Sequence, residues 1–143
     1  MNRDVLNSYP YAKAQCVYHL QWCTKYRYNM LRKDKYKKMY EEILREIAKR
    51  HEMLILSLAV NPEHTHVVVS TRPCISQSKA LQLFKGGSSY ELFRRQPLFR
   101  KRYPKGHFWS PGKFARTVGN VDLETTIDYV EKQANQTMLS NFL

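Results

Sequence analysis

Two β-prone runs with only three residues between them constrain this chain most. Met53 to Val60 reads MLILSLAV, a short apolar run, and His64 to Thr71 reads HTHVVVST, alternating and rich in β-branched residues that suit a half-buried pleated surface. Asn61-Pro62-Glu63 between them is turn chemistry, so the segment is predicted to form strand, turn and strand, a hairpin. Upstream, residues 14 to 24 alternate, with Cys16, Tyr18, Leu20 and Trp22 on one side, the period of another half-buried strand. Asp34 to His51 sets Tyr36, Met39, Tyr40, Ile43, Leu44 and Ile47 at helical spacing among Lys, Arg and Glu, which predicts an amphipathic helix.

Downstream, Ser76 is placed to cap a second helix running toward Phe93. Gly86 and Gly87 in its middle each cost about 1 kcal/mol relative to Ala, and such glycines mark a close backbone approach. Arg94 to His107 is basic and aromatic, and Phe108 to Gly112 with Phe114 to Gly119 reads as short strands or an extended arm. Asp122 then caps a last helix to about residue 138, with Glu124 in its first turn, where a carboxylate complements the helix dipole. The order β-α-β-β-α-β-α predicts an α+β fold, an antiparallel sheet with helices packed on it, of the ferredoxin-like and RRM-like kind. With 143 residues, 43% of them apolar and 13% aromatic, the chain fills one core, so a single domain over residues 1–143 is expected.

The net charge of +12 attracts polyanions through the counterions their phosphates release, which makes nucleic acid the leading partner. No apolar run reaches the roughly 18 residues of a membrane span, and the start carries no signal-like or lipidation pattern. A soluble cytoplasmic protein associated with the nucleoid is expected. Cys16, Cys23 and Cys74 are unclustered, which disfavours structural zinc and reads as reduced, mostly buried thiols. Lys85-Gly86-Gly87-Ser88-Ser89 lacks the spacing and the following Lys of a phosphate-binding loop, so ATP is not an expected cofactor.

Chemistry concentrates in two places. On a strand, His64 and His66 share one face while Thr65, Val67 and Val69 take the other, which puts two imidazoles within reach of one metal ion. A bare His-x-His is also how two surface histidines look, and on the residues alone both readings stand. On the last helix, Leu123, Ile127, Val130, Ala134 and Met138 form one apolar stripe at about 100° per residue. Tyr129 lies nearly opposite that stripe, Gln133 follows one turn later, and Gln136 lies near them. Periodicity alone does not single out a nucleophile among ten tyrosines.

Three stretches, taken together, resemble the small single-tyrosine transposases of prokaryotic insertion sequences, members of the HUH endonuclease superfamily. They are His19 to Arg27 (HLQWCTKYR), Glu63 to Ser70 (EHTHVVVS), and Phe108 to Gly112 (FWSPG) followed by Thr117 to Gly119 (TVG) and Tyr129 to Gln133 (YVEKQ). Lys85 to Ser89 is similar to that family's helix segment, and the likeness runs over nearly the whole chain in order. The chain departs from it at Thr65, where the family carries a hydrophobic residue between the two histidines.

That resemblance implies a division of labour. Tyr129 is the nucleophile that links covalently to a DNA 5′ end, and His64, His66 and the side-chain oxygen of Gln133 hold a divalent ion, Mg²⁺ or Mn²⁺. The link retains the phosphodiester's energy, so strands are rejoined without ATP. The implied substrate is single-stranded DNA with hairpin ends. The implied assembly is a homodimer in which the tyrosine helix can act in trans, with Gly119-Asn120 either a joint or an ordinary loop. Lys25, Tyr26, Arg27, Lys85, Arg94 and Arg95 are candidate DNA contacts, cations beside rings that suit phosphates and stacked bases. Two rival readings are an RRM-like binder without chemistry and a related nickase of replication origins or chromosomal palindromes. The binder requires aromatics on its central strands, where this chain has His64-Thr65-His66.

Overall fold

The computed structural model describes residues 16–142, with side chains through residue 135. Residues 14 and 15 of the first predicted strand therefore lie outside the described residues, as do the side chains of Gln136 and Met138. Four strands and three helices follow in the order β1 (Cys16–Thr24), α1 (Asp34–Arg50), β2 (Leu54–Val60), β3 (His64–Thr71), α2 (Gln77–Arg95), β4 (Trp109–Thr117) and α3 (Leu123–Phe142). The sheet order is β2-β3-β1-β4 and every pairing is antiparallel. The predicted α+β architecture is present.

Strand alternation sorts side chains between two unequal cores. Trp22 pairs with Thr65, Leu20 with Val67 and Tyr18 with Val69, so these six share one face of the sheet. Tyr40, Ile43, Leu44 and Ile47 of α1 and Leu81, Phe84 and Leu92 of α2 close over it. The other face carries His19, His66, Val68 and Ala59, and there α3 lays down Ile127 and Val130 against Ala59 and Val68. The sheet is thus sandwiched between a pair of helices and a single one, and the smaller core belongs to α3.

Thr65, the departure between the two histidines, has a partner behind the sheet. It is fully buried, its hydroxyl lies 2.7 Å from the hydroxyl of Tyr40, and Tyr40 accepts from Trp22 Nε1 at 3.0 Å. A hydroxyl is satisfied at a position where an apolar side chain is otherwise expected. Ser76 caps α2 as predicted, accepting from Lys79 N at 3.1 Å. Of the two mid-helix glycines only Gly87 marks a close approach: a Cβ there would lie 2.8 Å from Ile47 Cδ1 of α1, whereas at Gly86 it would meet nothing within 4 Å.

Two expectations need correction, and one segment gains a structural role. The Phe108 to Gly119 region is largely one strand, β4, which tolerates Pro111 because it runs along the sheet's edge. The basic segment before it is anchored to the main core through Phe99, Tyr103 and Phe108, aromatics whose spacing follows neither the helical nor the strand period. The cysteines are not mostly buried: Cys16 and Cys23 are half-buried, and Cys74 is exposed where the chain leaves β3 for α2.

Candidate active site

Antiparallel pairing of β1 with β3 sets Gln21 beside His66 and His19 beside Val68, so a third histidine joins the face that carries His64 and His66. The rings of His64 and His66 stand 5.0 Å apart. His19 Nε2 lies 3.4 Å from His66 Nδ1, with both residues buried. His64 donates from Nδ1 to Glu63 Oε1 at 2.7 Å and is approached at Nε2 by the amide of Asn61. The turn that closes the hairpin therefore also braces its first histidine.

Helix α3 brings Tyr129 to this cluster. Ile127 and Val130 are buried beneath the helix, and Arg116 of β4 donates to the hydroxyl of buried Thr126 at 2.7 Å, pinning the first turns. At the helix margin the ring of Tyr129 meets His66 edge-on at 5.8 Å and His19 at 6.1 Å, yet 47% of the residue stays exposed. Gln133 follows one turn later, half-buried. The helical wheel correctly separated Tyr129 from the apolar stripe. The long ring nevertheless reaches back over the sheet, because α3 lies beside the histidines rather than above a uniform apolar face.

Burial acts on two of these histidines, His66 and His19. It lowers the pKa of His66 to about 4, helped by the charges of His64 and His19. His19 is also shifted down, first by burial and then by the nearby Arg116 guanidinium. A neutral imidazole offers a lone pair, which is what a metal ion requires. Among the described residues no group of three or more His, Cys, Asp and Glu is arranged to hold a metal ion. His64 and His66 bring two imidazoles together on one face of β3, and imidazole is a ligand suited to divalent transition metals.

The candidate DNA contacts divide. Lys25, Tyr26 and Arg27 form a short 3-10 turn directly after β1, in which Tyr26 (φ 61°) and Arg27 (φ 51°) adopt left-handed backbone and Tyr26 is 63% exposed. Tyr26 and Arg27 line a groove with Gln21, Cys23, Lys113 and Phe114, and the Phe114 ring touches His19 at 5.5 Å, so this groove leads to the histidines. Lys85 borders the same groove, donating to the carbonyl of Ser110 at 2.8 Å, its pKa lowered by burial and then by Lys113. Arg94 pairs with Glu91, and Arg95 with Glu46 and Glu91, in the helix layer behind the sheet. The structure turns Arg94 and Arg95 toward these carboxylates and leaves Lys85 beside the groove.

Residues 12–133, most of the chain, match the family described as "Transposase IS200 like". The chain belongs to this family. Its members cut DNA and transfer strands, which sets this transposase among DNA-processing enzymes rather than RRM-like binders. It is 29% identical over 119 residues to the ISDra2 transposase TnpA of Deinococcus radiodurans, covering 83% of this chain and 84% of that one. It is 26% identical over 129 residues to the transposase for insertion sequence element IS200 of Salmonella typhimurium, covering 90% and 84%. The crystal structure of a putative transposase from Deinococcus radiodurans R1 superposes with a TM-score of 0.67 at 28% identity, covering 88% of this chain and 94% of that one. A REP-associated tyrosine transposase bound to a REP hairpin shares the fold, with a TM-score of 0.58 at 15% identity over 80% of this chain and 64% of that one.

His19, Asn61, Glu63, Phe114 and Arg116 escaped the sequence reading as site residues. For His19 a signal existed: it is the odd member of an alternating strand whose even members are core. That parity puts it on the histidine face once the strand neighbours are known, and the sequence does not state which strands are neighbours. No signal in the sequence singles out Arg116.

Proposed function

We propose that this transposase cuts and rejoins single-stranded DNA at hairpin-bearing element ends, with Tyr129 as the attacking group. The observation that carries the reading is an exposed phenol standing edge-on to the buried rings of His66 and His19 on the sheet. Tyr129 Oη bonds to the scissile phosphorus and loses its proton, while the bond to the 3′ oxygen breaks and that oxygen takes up a proton. The DNA 5′ end is left on Tyr129. Because one phosphoester replaces another, a later 3′-OH can attack the tyrosyl phosphate, re-form a DNA bond and restore the phenol without an external energy source.

His64, His66 and Gln133 would hold Mg²⁺ or Mn²⁺, which when bound supplies Lewis-acid neutralisation of the phosphate charge. The groove between the Lys25–Arg27 turn and Phe114 offers cations for phosphates and rings for unpaired bases, and so suits a single strand. A homodimer belongs to the same proposal. Helix α3 rests on its own sheet in the single chain, and Gly119-Asn120 ahead of it would serve as the joint if the helix is exchanged.

The test uses a hairpin-bearing single strand labelled at its 3′ end. With Mg²⁺ or Mn²⁺ the label is expected to migrate with the protein after denaturation. EDTA or a fully duplex substrate is expected to remove that band. A band indifferent to EDTA refutes the metal assignment, and equal labelling of duplex refutes the substrate class.

A further inference from the structure

We propose that His19 is a positioning residue for the metal site: it accepts the Nδ1 proton of His66, so that the Nε2 lone pair of His66 is the one presented to the ion. The inference rests on the metal-binding reading given above. A neutral imidazole has one N–H and one lone pair, and whichever nitrogen carries the proton cannot be a ligand. His66 Nδ1 faces His19 Nε2 at 3.4 Å, and with exposures of 2% and 4% neither residue can readily exchange this contact for water. If His19 donated, His66 would carry its proton on Nε2 and be lost as a ligand there. If His66 donates, Nε2 is free.

His19 Nδ1 is buried with no hydrogen-bond partner, so no other group fixes the tautomer of His19 against His66. One further observation favours the second arrangement. His64 is likewise braced at Nδ1, which donates to Glu63 Oε1 at 2.7 Å, while its Nε2 faces the Asn61 amide. Each histidine of the pair is thus held at Nδ1 by a group outside the donor set, Glu63 for one and His19 for the other. Outer partners of this kind commonly govern metal affinity by about ten- to hundredfold. His19 differs from Glu63 in lying on another strand, which ties the ligand geometry to the β1–β3 pairing.

The experiment needs neither DNA nor turnover. Mn²⁺ is titrated into the full chain and the free ion is followed by electron paramagnetic resonance. His19→Leu is expected to weaken Mn²⁺ binding by about ten- to hundredfold, and His19→Gln, whose amide oxygen can accept the proton, to recover most of it. Parent-like binding in His19→Leu overturns the proposal, and so does equal weakness in the Leu and Gln variants. Should the Leu variant not fold, ¹⁵N spectra of the Mg²⁺-loaded parent decide: the His66 proton is expected on Nδ1, and a proton on Nε2 overturns the assignment. His64→Ala and His66→Ala separate the two levels of the argument. Mn²⁺ binding lost in both but parent-like in His19→Leu refutes His19 alone, whereas binding that survives both alanine variants refutes the metal site itself.

Discussion

Tyr129 on α3 stands edge-on to His66 on β3, ring centroids 5.8 Å apart, and this contact joins the small core to the site. The helix that carries Tyr129 is held through Ile127, Val130 and the Arg116 to Thr126 hydrogen bond. Fully buried Val130 contributes methyl groups to a core far smaller than the one under α1 and α2. Val130→Ala is expected to cost about 2 kcal/mol locally, from lost burial plus the cavity left behind. Amide exchange along α3 should then accelerate tenfold or more, with α1 and the β1–β3 ladder unchanged. Equal acceleration everywhere would mean that α3 opens only with the whole domain.

Protons should act on stability through His66. Its folded pKa is lowered to about 4 from the ordinary 6.5, so in the window between those values the unfolded chain binds a proton that the folded one excludes. The contribution is complete above about pH 6.5 and is lost as pH falls through about 4. In EDTA the melting temperature should therefore fall as pH drops from 7 to 4.5, with His19 acting in the same direction. His66→Gln is expected to flatten this slope, and a slope identical to that of the parent would contradict the shift.

Behind the histidines, Tyr40 joins Trp22 to Thr65. Tyr40→Phe strands both partners in the core and is expected to cost about 2–4 kcal/mol, whereas Thr65→Val leaves the Trp22 bond in place and should cost about 1–2 kcal/mol. Both are measurable by urea denaturation. Neither side chain faces the histidines, so Mn²⁺ affinity should stay at the parent level, and a large loss in Thr65→Val would show that the strand's two faces are coupled.

The paired glycines of α2 should respond in opposite ways. Gly86→Ala meets open space and gains helix propensity, so a stabilisation of roughly 0.5–1 kcal/mol is expected. Gly87→Ala drives a methyl against Ile47, and an overpacking cost of about 1–3 kcal/mol outweighs that gain. Shortening the obstacle in a Gly87→Ala, Ile47→Val pair should recover part of the loss. Thermal melts of the three variants check the order.

What the sequence revealed and what it concealed divide by range. The hairpin, α1 and the Ser76 cap were legible because period, turn chemistry and capping act between near neighbours in the chain. His64 and His66 shared a face for the same reason. His19 beside His66, Arg116 on Thr126 and Tyr26 near Phe114 depend on which strands are neighbours and on where α3 lies, and those relations follow from the packing of the whole sheet. The basic stretch before β4 hid its buried aromatics for a related reason. Phe99, Tyr103 and Phe108 are separated by Arg and Lys, so their burial is settled by the fit against α1, α2 and the turn after β1 rather than by any repeat.

The central claim is that Tyr129 attacks DNA, and the direct measurement is the denaturant-stable adduct formed on a 3′-labelled, hairpin-bearing single strand with Mn²⁺. The parent should form it. Tyr129→Phe, which removes only the hydroxyl of a half-exposed ring, should keep its fold and its DNA binding and form none. An adduct that persists in Tyr129→Phe would contradict the account.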